Sequence, residues 1–460
     1  MAELQHLSLL RPAETLADAA ITLDPAPLVT DAEMNAFYRT EIQSARGVDR
    51  LGRIRIDLED ALRWERQYKA FLMGHPGVGK TTELLRLTRS FEAQLEPLYI
   101  SVISELNPGS FRYYDVLLLI LVRLVEAASS PTRIGFEEHK LKLLLKRVQD
   151  CLTGKWNDYL QTREANVEVG FDVFFAKIKG TLKQGRTFKK DEQRFEASFV
   201  TELVDLMNDV FDECNEMAQK ANGKRWIVIL DDLEKLGIEQ SPLQTLFSGL
   251  RASLQDLRMN MIFTIPVWLH FSKDANDILP SNFQRVVLPD IPVYNKDKQL
   301  DSHSVRALTE VIHSRIEPSL LEDGVAERCI RGSGGSLRDL FRLLRDGIVT
   351  ARIRGASKVA LPHVEEAIRD LRNDYKNRLG STSQADAEVT LEQKIERLVQ
   401  IYKREDATAE VPDPVLYNLL RQRFVLQYNG TAWMGIHSLA VDLLIQFKRL
   451  ESNSPGGSTL

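Results

Sequence analysis

The chain has 460 residues, 43% of them hydrophobic and 27% charged, with a net charge of −5. That length supports two to four domains with at least one full core, and that balance excludes wholesale disorder. A mildly acidic chain has no global pull on nucleic acid, and Cys151, Cys214 and Cys329 form neither a disulfide framework nor a zinc spacing.

Residues 1–35 show little periodicity and carry Pro12, Pro25 and Pro27, which predicts an extended N-terminal arm. Residues 36–66 have a helical pattern and lead into an apolar run, Tyr68–Met73, that reads as a buried strand. A glycine-rich turn follows, then a helix over Thr81–Phe91, a strand over Pro97–Ile103 and an apolar helix over Tyr113–Ala128. The apolar run Val116–Val125 is too short for a bilayer and contains Arg123, so it reads as a buried helix. No basic, apolar export leader opens the chain, and the expected location is cytoplasmic with no membrane contact.

Residues 131–190 are polar and net basic. They read as an insertion, with a strand or hairpin suggested by the alternation of Val167, Val169, Phe171 and Val173. Beyond it come helix Phe195–Lys220, strand Trp226–Leu230, helix Leu243–Leu257, and strands Met261–Pro266 and Val286–Leu288. Apolar strands alternating with helices predict an α/β fold, a parallel sheet with helices on both faces. The predicted domains are a core over 36–295, a helical unit over 296–379, a module over 390–450 and a disordered tail over 451–460. The linker GSTSQADAE separates the second from the third. In the module, two helices, a hairpin around Asn429–Gly430 and a last helix resemble a winged helix.

Gly74, His75, Pro76, Gly77, Val78, Gly79, Lys80 and Thr81 satisfy G-x-x-x-x-G-K-[ST], with Thr82 next in line. A phosphate chain needs inward-pointing N–H groups, and glycine lets the backbone curl that closely. The helix that follows adds its positive end. Lys80 is placed for the β- and γ-phosphates of ATP, and the Thr81 hydroxyl for Mg²⁺. A second element, WIVILDDLEK, ends a strand in Asp231–Asp232. Asp231 is expected to hold the metal and Asp232 to orient or deprotonate a water. The inert alternatives are a ligand-free turn and a solvated acidic loop.

Three further stretches resemble AAA+ ATPases of the origin-recognition type. MNMIFTIP places Thr264 where that group carries a polar sensor. LPSNFQRVVLPDIPVY places Arg285 where an arginine serves a neighbouring subunit. GSGGSLRDLFRLLRDG resembles the lid motif, with Arg338 as its second sensor. Each also has a plain reading: a β-branched strand residue, a surface arginine, and a solvated helix face shared with Arg342 and Arg345. The Asp-Asp end departs from the usual Asp-Glu and is more typical of STAND switch ATPases.

The resemblance implies a slowly hydrolysing, nucleotide-controlled switch. It further implies a homo-oligomer and a protein effector partner, in bacterial antiphage defence or signalling. The alternative is an origin-recognition-like or transposition-type DNA-binding loader. For DNA, the run KIKGTLKQGRTFKK offers charge that is also that of a solvated loop, and 390–450 is nearly balanced in sign.

Overall fold

The computed structural model describes residues 10–47, 49–107, 111–130, 171–184, 193–235, 240–272, 274–380, 389–404, 410–428 and 433–457, with 139, 143, 146 and 147. Strands β1 (Lys69–Gly74), β2 (Leu95–Ser101), β3 (Arg225–Asp231), β4 (Asn260–Pro266) and β5 (Gln284–Val287) form one sheet in the order β2-β3-β4-β1-β5. Every pairing in it is parallel.

Side-chain alternation divides the sheet between two cores. Phe71, Met73, Val228, Leu230, Met261, Phe263 and Ile265 face the larger core, which includes helix Tyr113–Ser129. Ala70, Leu72, Ile227, Ile229 and Ile262 face the other, built with helices Arg50–Arg63 and Lys80–Arg89. A strand buried on both faces must be apolar throughout, which is why these runs are legible without alternation. This is the α/β parallel sheet of P-loop NTPases.

A helical lid follows: Ser302–His313, Val325–Ser333, Leu337–Ile353 and Leu361–Gly380. The C-terminal module has helices Leu391–Lys403 and Pro414–Arg421, antiparallel strands β6 (Val425–Tyr428) and β7 (Trp433–Ile436), and helix Ser438–Gln446. The turn expected at Asn429–Gly430 lies outside the described residues, as do Val167 and Val169.

Three expectations are corrected. Phe171 and Val173 belong to a helix, Phe171–Gln184, not a strand. Phe171, Phe174, Phe175, Ile178 and Leu182 recur at helical spacing, and that period prevails over the short alternation; Ile178 and Leu182 are buried. The N-terminal arm is not an extended tail. It forms helices Leu16–Thr22 and Asp31–Phe37 and is tied to the lid: Ala13 donates its N–H to Arg315 O (2.9 Å), and Glu317 N–H donates to Ala13 O (3.0 Å). Residues 451–457, expected to be disordered, lie against the body. Tyr402 Oη donates to Pro455 O and Tyr294 Oη to Gly457 O, both at 2.8 Å.

Candidate nucleotide site

The carboxyl ends of β1, β3 and β4 converge, the usual place for a ligand in an open parallel sheet. β1 ends at Gly74, and the loop after it turns through Gly77 (φ 91°) and Gly79 (φ 100°) into helix Lys80–Arg89. Both glycines occupy the left-handed region that side chains avoid. A Cβ on Gly77 would lie 2.5 Å from Arg338 Cβ. The loop therefore curls tightly under the lid.

Lys80 is buried, and its Nζ donates to Gly74 O (3.2 Å) and His75 O (3.3 Å). Thr81 Oγ1 donates to Asp231 Oδ2 at 2.5 Å, although the two residues are 150 positions apart in sequence. Asp231 is buried and accepts three more hydrogen bonds: Tyr99 Oη (2.7 Å), Thr264 Oγ1 (2.5 Å) and Asp232 N–H (2.8 Å). Burial pushes its carboxyl up, but the bonds from Thr264, Thr81, Tyr99 and the Asp232 amide outweigh burial and hold it below the ordinary value. Asp231 is thus a fixed anion beside the Thr81 hydroxyl.

Asp232 has φ 68° and lines the cleft. Its Oδ2 accepts from Ser101 Oγ (2.7 Å), and Lys235 Nζ lies 2.5 Å from its Oδ1. Thr264 sits at the end of β4, fully buried, where its hydroxyl braces Asp231. Arg338 is the second residue of helix Leu337–Ile353 and lines the cleft over Gly77. Thr82 lines it too, and its Oγ1 accepts from Leu28 N–H (3.2 Å). Val78 is buried, and its N–H donates to His75 O (3.3 Å). Pro76 is half-buried in the same turn. Arg285 is set apart. It lies on edge strand β5 opposite Phe71, donates to Asn276 Oδ1 (3.0 Å) and is not among the residues lining the cleft.

The cleft has a volume of about 370 Å³. Its far wall comes from the N-terminal segment (Pro25–Leu28, Tyr38, Ile42) and the lid (Val311, Arg315, Phe341). The Arg315 guanidinium lies over Phe37 (5.0 Å) and Phe341 (4.6 Å) and donates to Thr22 O (2.7 Å), which ties the two walls together. Apolar and aromatic walls opposite a phosphate-type loop suit a purine nucleotide.

Several of these residues were not apparent from sequence. Tyr99 reaches Asp231 because β2 neighbours β3, and no local pattern states that order. Glu83 is buried at the first turn of the loop helix. It accepts from Tyr38 Oη (3.1 Å), Gln43 Nε2 and Arg46 Nη1 (2.8 Å), while Arg46 Nη2 donates to Val78 O (2.5 Å). His75, which the sequence motif did place in the loop, is buried with neither ring nitrogen hydrogen-bonded, and its Nε2 lies 3.8 Å from Asp290 Oδ2. Burial, followed by the nearby cations Arg423 and Lys80, pushes the His75 pKa well down.

Loop, helix terminus, lysine, hydroxyl and carboxylate converge at one end of a sheet that has the P-loop NTPase fold. No protein-family model matches the chain, and no curated protein does. Its similarities to solved structures are distant. The Walker-type ATPase paby2304 of Pyrococcus abyssi is 13% identical with a TM-score of 0.43, over 92% of this chain and 99% of that one. The Aeropyrum pernix ORC1 protein in complex with DNA is 14% identical with a TM-score of 0.38, over 93% and 96%. The Thermotoga maritima RuvB Holliday junction branch migration motor is 12% identical with a TM-score of 0.32, over 86% and 93%. Likeness this low carries no functional argument, and the class stands on the sheet and the loop.

Proposed function

We propose that the chain is an AAA+/STAND-type ATPase that binds ATP with Mg²⁺ and uses it as a conformational latch, with slow hydrolysis. The observation that carries this reading is the meeting of Thr81 Oγ1 with Asp231 Oδ2 at 2.5 Å. A hydroxyl and an ionised carboxylate at the head of the loop are the hard oxygen donors that Mg²⁺ takes alongside phosphates. Among the described residues no cluster of three or more His, Cys, Asp or Glu could hold a metal ion by itself. The glycine cradle fits a phosphate chain for the same reason that it excludes a Cβ.

In this mechanism the loop amides and Lys80 bind the β- and γ-phosphates. Thr81 and Asp231 would hold the metal, which would neutralise charge on the phosphate oxygens. Asp232 takes the proton of the attacking water. Both of its oxygens already accept, from Ser101 and Lys235. Each oxygen keeps a second lone pair for a water, and the two contacts fix the orientation of the carboxylate. Thr264 senses the metal side through Asp231, and Arg338 the phosphate side over Gly77. Arg285, on the edge strand, acts on a neighbouring copy in a homo-oligomer, and the output goes to a protein effector through the winged-helix-like module.

The DNA-loader reading draws little support from the module's charges. Lys394 is buried and donates to Leu379 O (3.2 Å), Arg397 pairs with Asp413, Arg449 pairs with Glu392 (2.5 Å), and Arg423 is buried. The test is ATP binding and phosphate release by wild type, Lys80→Ala and Asp232→Ala. Lys80→Ala should abolish binding with the fold intact. Asp232→Ala should bind yet lose about 10²–10⁴-fold in phosphate release. Unchanged affinity in Lys80→Ala would refute the site. An ATP-dependent, salt-sensitive DNA shift would replace the switch with the loader.

A further inference from the structure

The turn that launches the Arg338 helix is held largely by the C-terminal module. Ser336 caps helix Leu337–Ile353, accepting from Asp339 N–H at 3.3 Å. Arg423, buried and with φ 66°, sends one Nη2 to Ser336 Oγ (2.5 Å) and to Asp339 Oδ2 (2.7 Å). His437 Nε2 donates to Ser333 O (2.9 Å), with its Nδ1 accepting from Leu439 N–H (3.1 Å). Tyr428 Oη donates to Gly334 O (3.1 Å). A Cβ on Gly335 would fall 1.7 Å from Ile291 O, so the turn has no room to slide. Tyr375 of the lid adds a hydrogen bond to Asp339 (3.0 Å) and stacks on His437 with centroids 4.6 Å apart. Arg338 lies between these two anchored positions, with its Cβ against Gly77 of the phosphate loop.

We propose that Arg423 is a positioning residue: by clamping Ser336 and Asp339 it holds Arg338 over the phosphate loop, so docking of the C-terminal module on the lid sets nucleotide affinity. This rests on the ATP-site reading above. The geometry supports it because the connection from module to phosphate loop is short and buried. An ion pair this enclosed keeps its geometry while both partners are present and loses it when one is withdrawn. Displacing the module, by an effector bound to it, frees the lid turn and with it Arg338. The two sites then share a coupling free energy.

The experiment is a double-mutant cycle on ATP·Mg²⁺ affinity in the full chain, with Arg423→Ala, Arg338→Ala and the pair. Arg423→Ala should weaken binding on the order of tenfold, within the roughly 5–150-fold span of coupled sites. In the Arg338→Ala background it should add nothing, because Arg423 acts through Arg338. KM should rise while kcat changes little, since Asp231 and Asp232 are untouched. Arg423→Lys, which keeps the charge beside Asp339, should recover most of the affinity. If Arg423→Ala fails to fold, Tyr428→Phe runs the same cycle, with an expected loss of about threefold. Additive effects in the cycle, or wild-type affinity in a folded Arg423→Ala, overturn the proposal and leave the ATP site standing. A wild type that binds no ATP overturns the site reading itself.

Discussion

Replacing Glu83 with alanine removes the acceptor at the centre of a buried cluster. The Arg46 and Glu83 side chains are 2% and 3% exposed, with a 2.8 Å contact. Losing one partner strands the other charge in a low-dielectric site, at a cost of about 3–5 kcal/mol. An exposed pair would cost at most about 1 kcal/mol. Tyr38 loses its acceptor as well, while Gln43 keeps the Tyr38 hydroxyl (2.8 Å). The assay is denaturant unfolding followed by tryptophan fluorescence for Glu83→Ala, Arg46→Met and Arg46→Met/Glu83→Leu. Each single change should shift the transition strongly. The double change leaves no buried charge unpaired, since the other cation on Glu83, Arg86 (3.2 Å), is 41% exposed, and it should recover the part of the loss due to the stranded charge. A second readout is local. Burial, then Glu83, pushes the Tyr38 phenol up to about 12, so its titration should move down in Glu83→Ala. A single change costing under about 1 kcal/mol, or a double change equal to the sum of the singles, would refute the reasoning.

Two further outcomes follow from the same geometry. Gly77→Ala places a Cβ 2.5 Å from Arg338 Cβ at φ 91°. The left-handed backbone alone costs about 1–2 kcal/mol with or without nucleotide, so the stability read by denaturant unfolding should fall by at least that order; wild-type stability would contradict the loop–lid contact. Asp290 is a buried acid whose pKa burial raises to about 7, with Arg423, Arg46 and Lys80 pulling the other way. Its folded pKa lies above the unfolded value of about 3.9. The stability it contributes is therefore present at low pH and lost as pH rises through about 7. Asp290→Asn has no proton to lose, so its melting temperature should gain on wild type between pH 5 and pH 8. Burial holds the His75 pKa well below its ordinary value, so His75 stays neutral and takes up no proton across this range. An equal gap at both pH values would count against a neutral Asp290.

Much of the fold was legible because strands such as β1 and β3 are apolar on both faces and each helix keeps its period. Tyr68–Met73 and Trp226–Leu230 announced β1 and β3. The phosphate loop was legible for a different reason: its chemistry is local, since glycines, lysine and threonine must be adjacent to curl around one anion. By contrast, the N-terminal segment read as a tail because its partners, Arg315 and Thr82, lie far along the chain.

The amino-acid sequence by itself determined the parallel α/β core, the loop from Gly74 to Thr82 and the acidic end at Asp231–Asp232. Those depend on neighbours within a few residues, where spacing and side-chain chemistry suffice. Only the tertiary structure decided that Tyr99 and Thr264 brace Asp231, that Glu83 pairs with Arg46, and that Arg423 clamps the turn before Arg338. Such contacts arise from strand order and from the docking of separate units, and burial makes them strong. Neither is encoded in any local pattern.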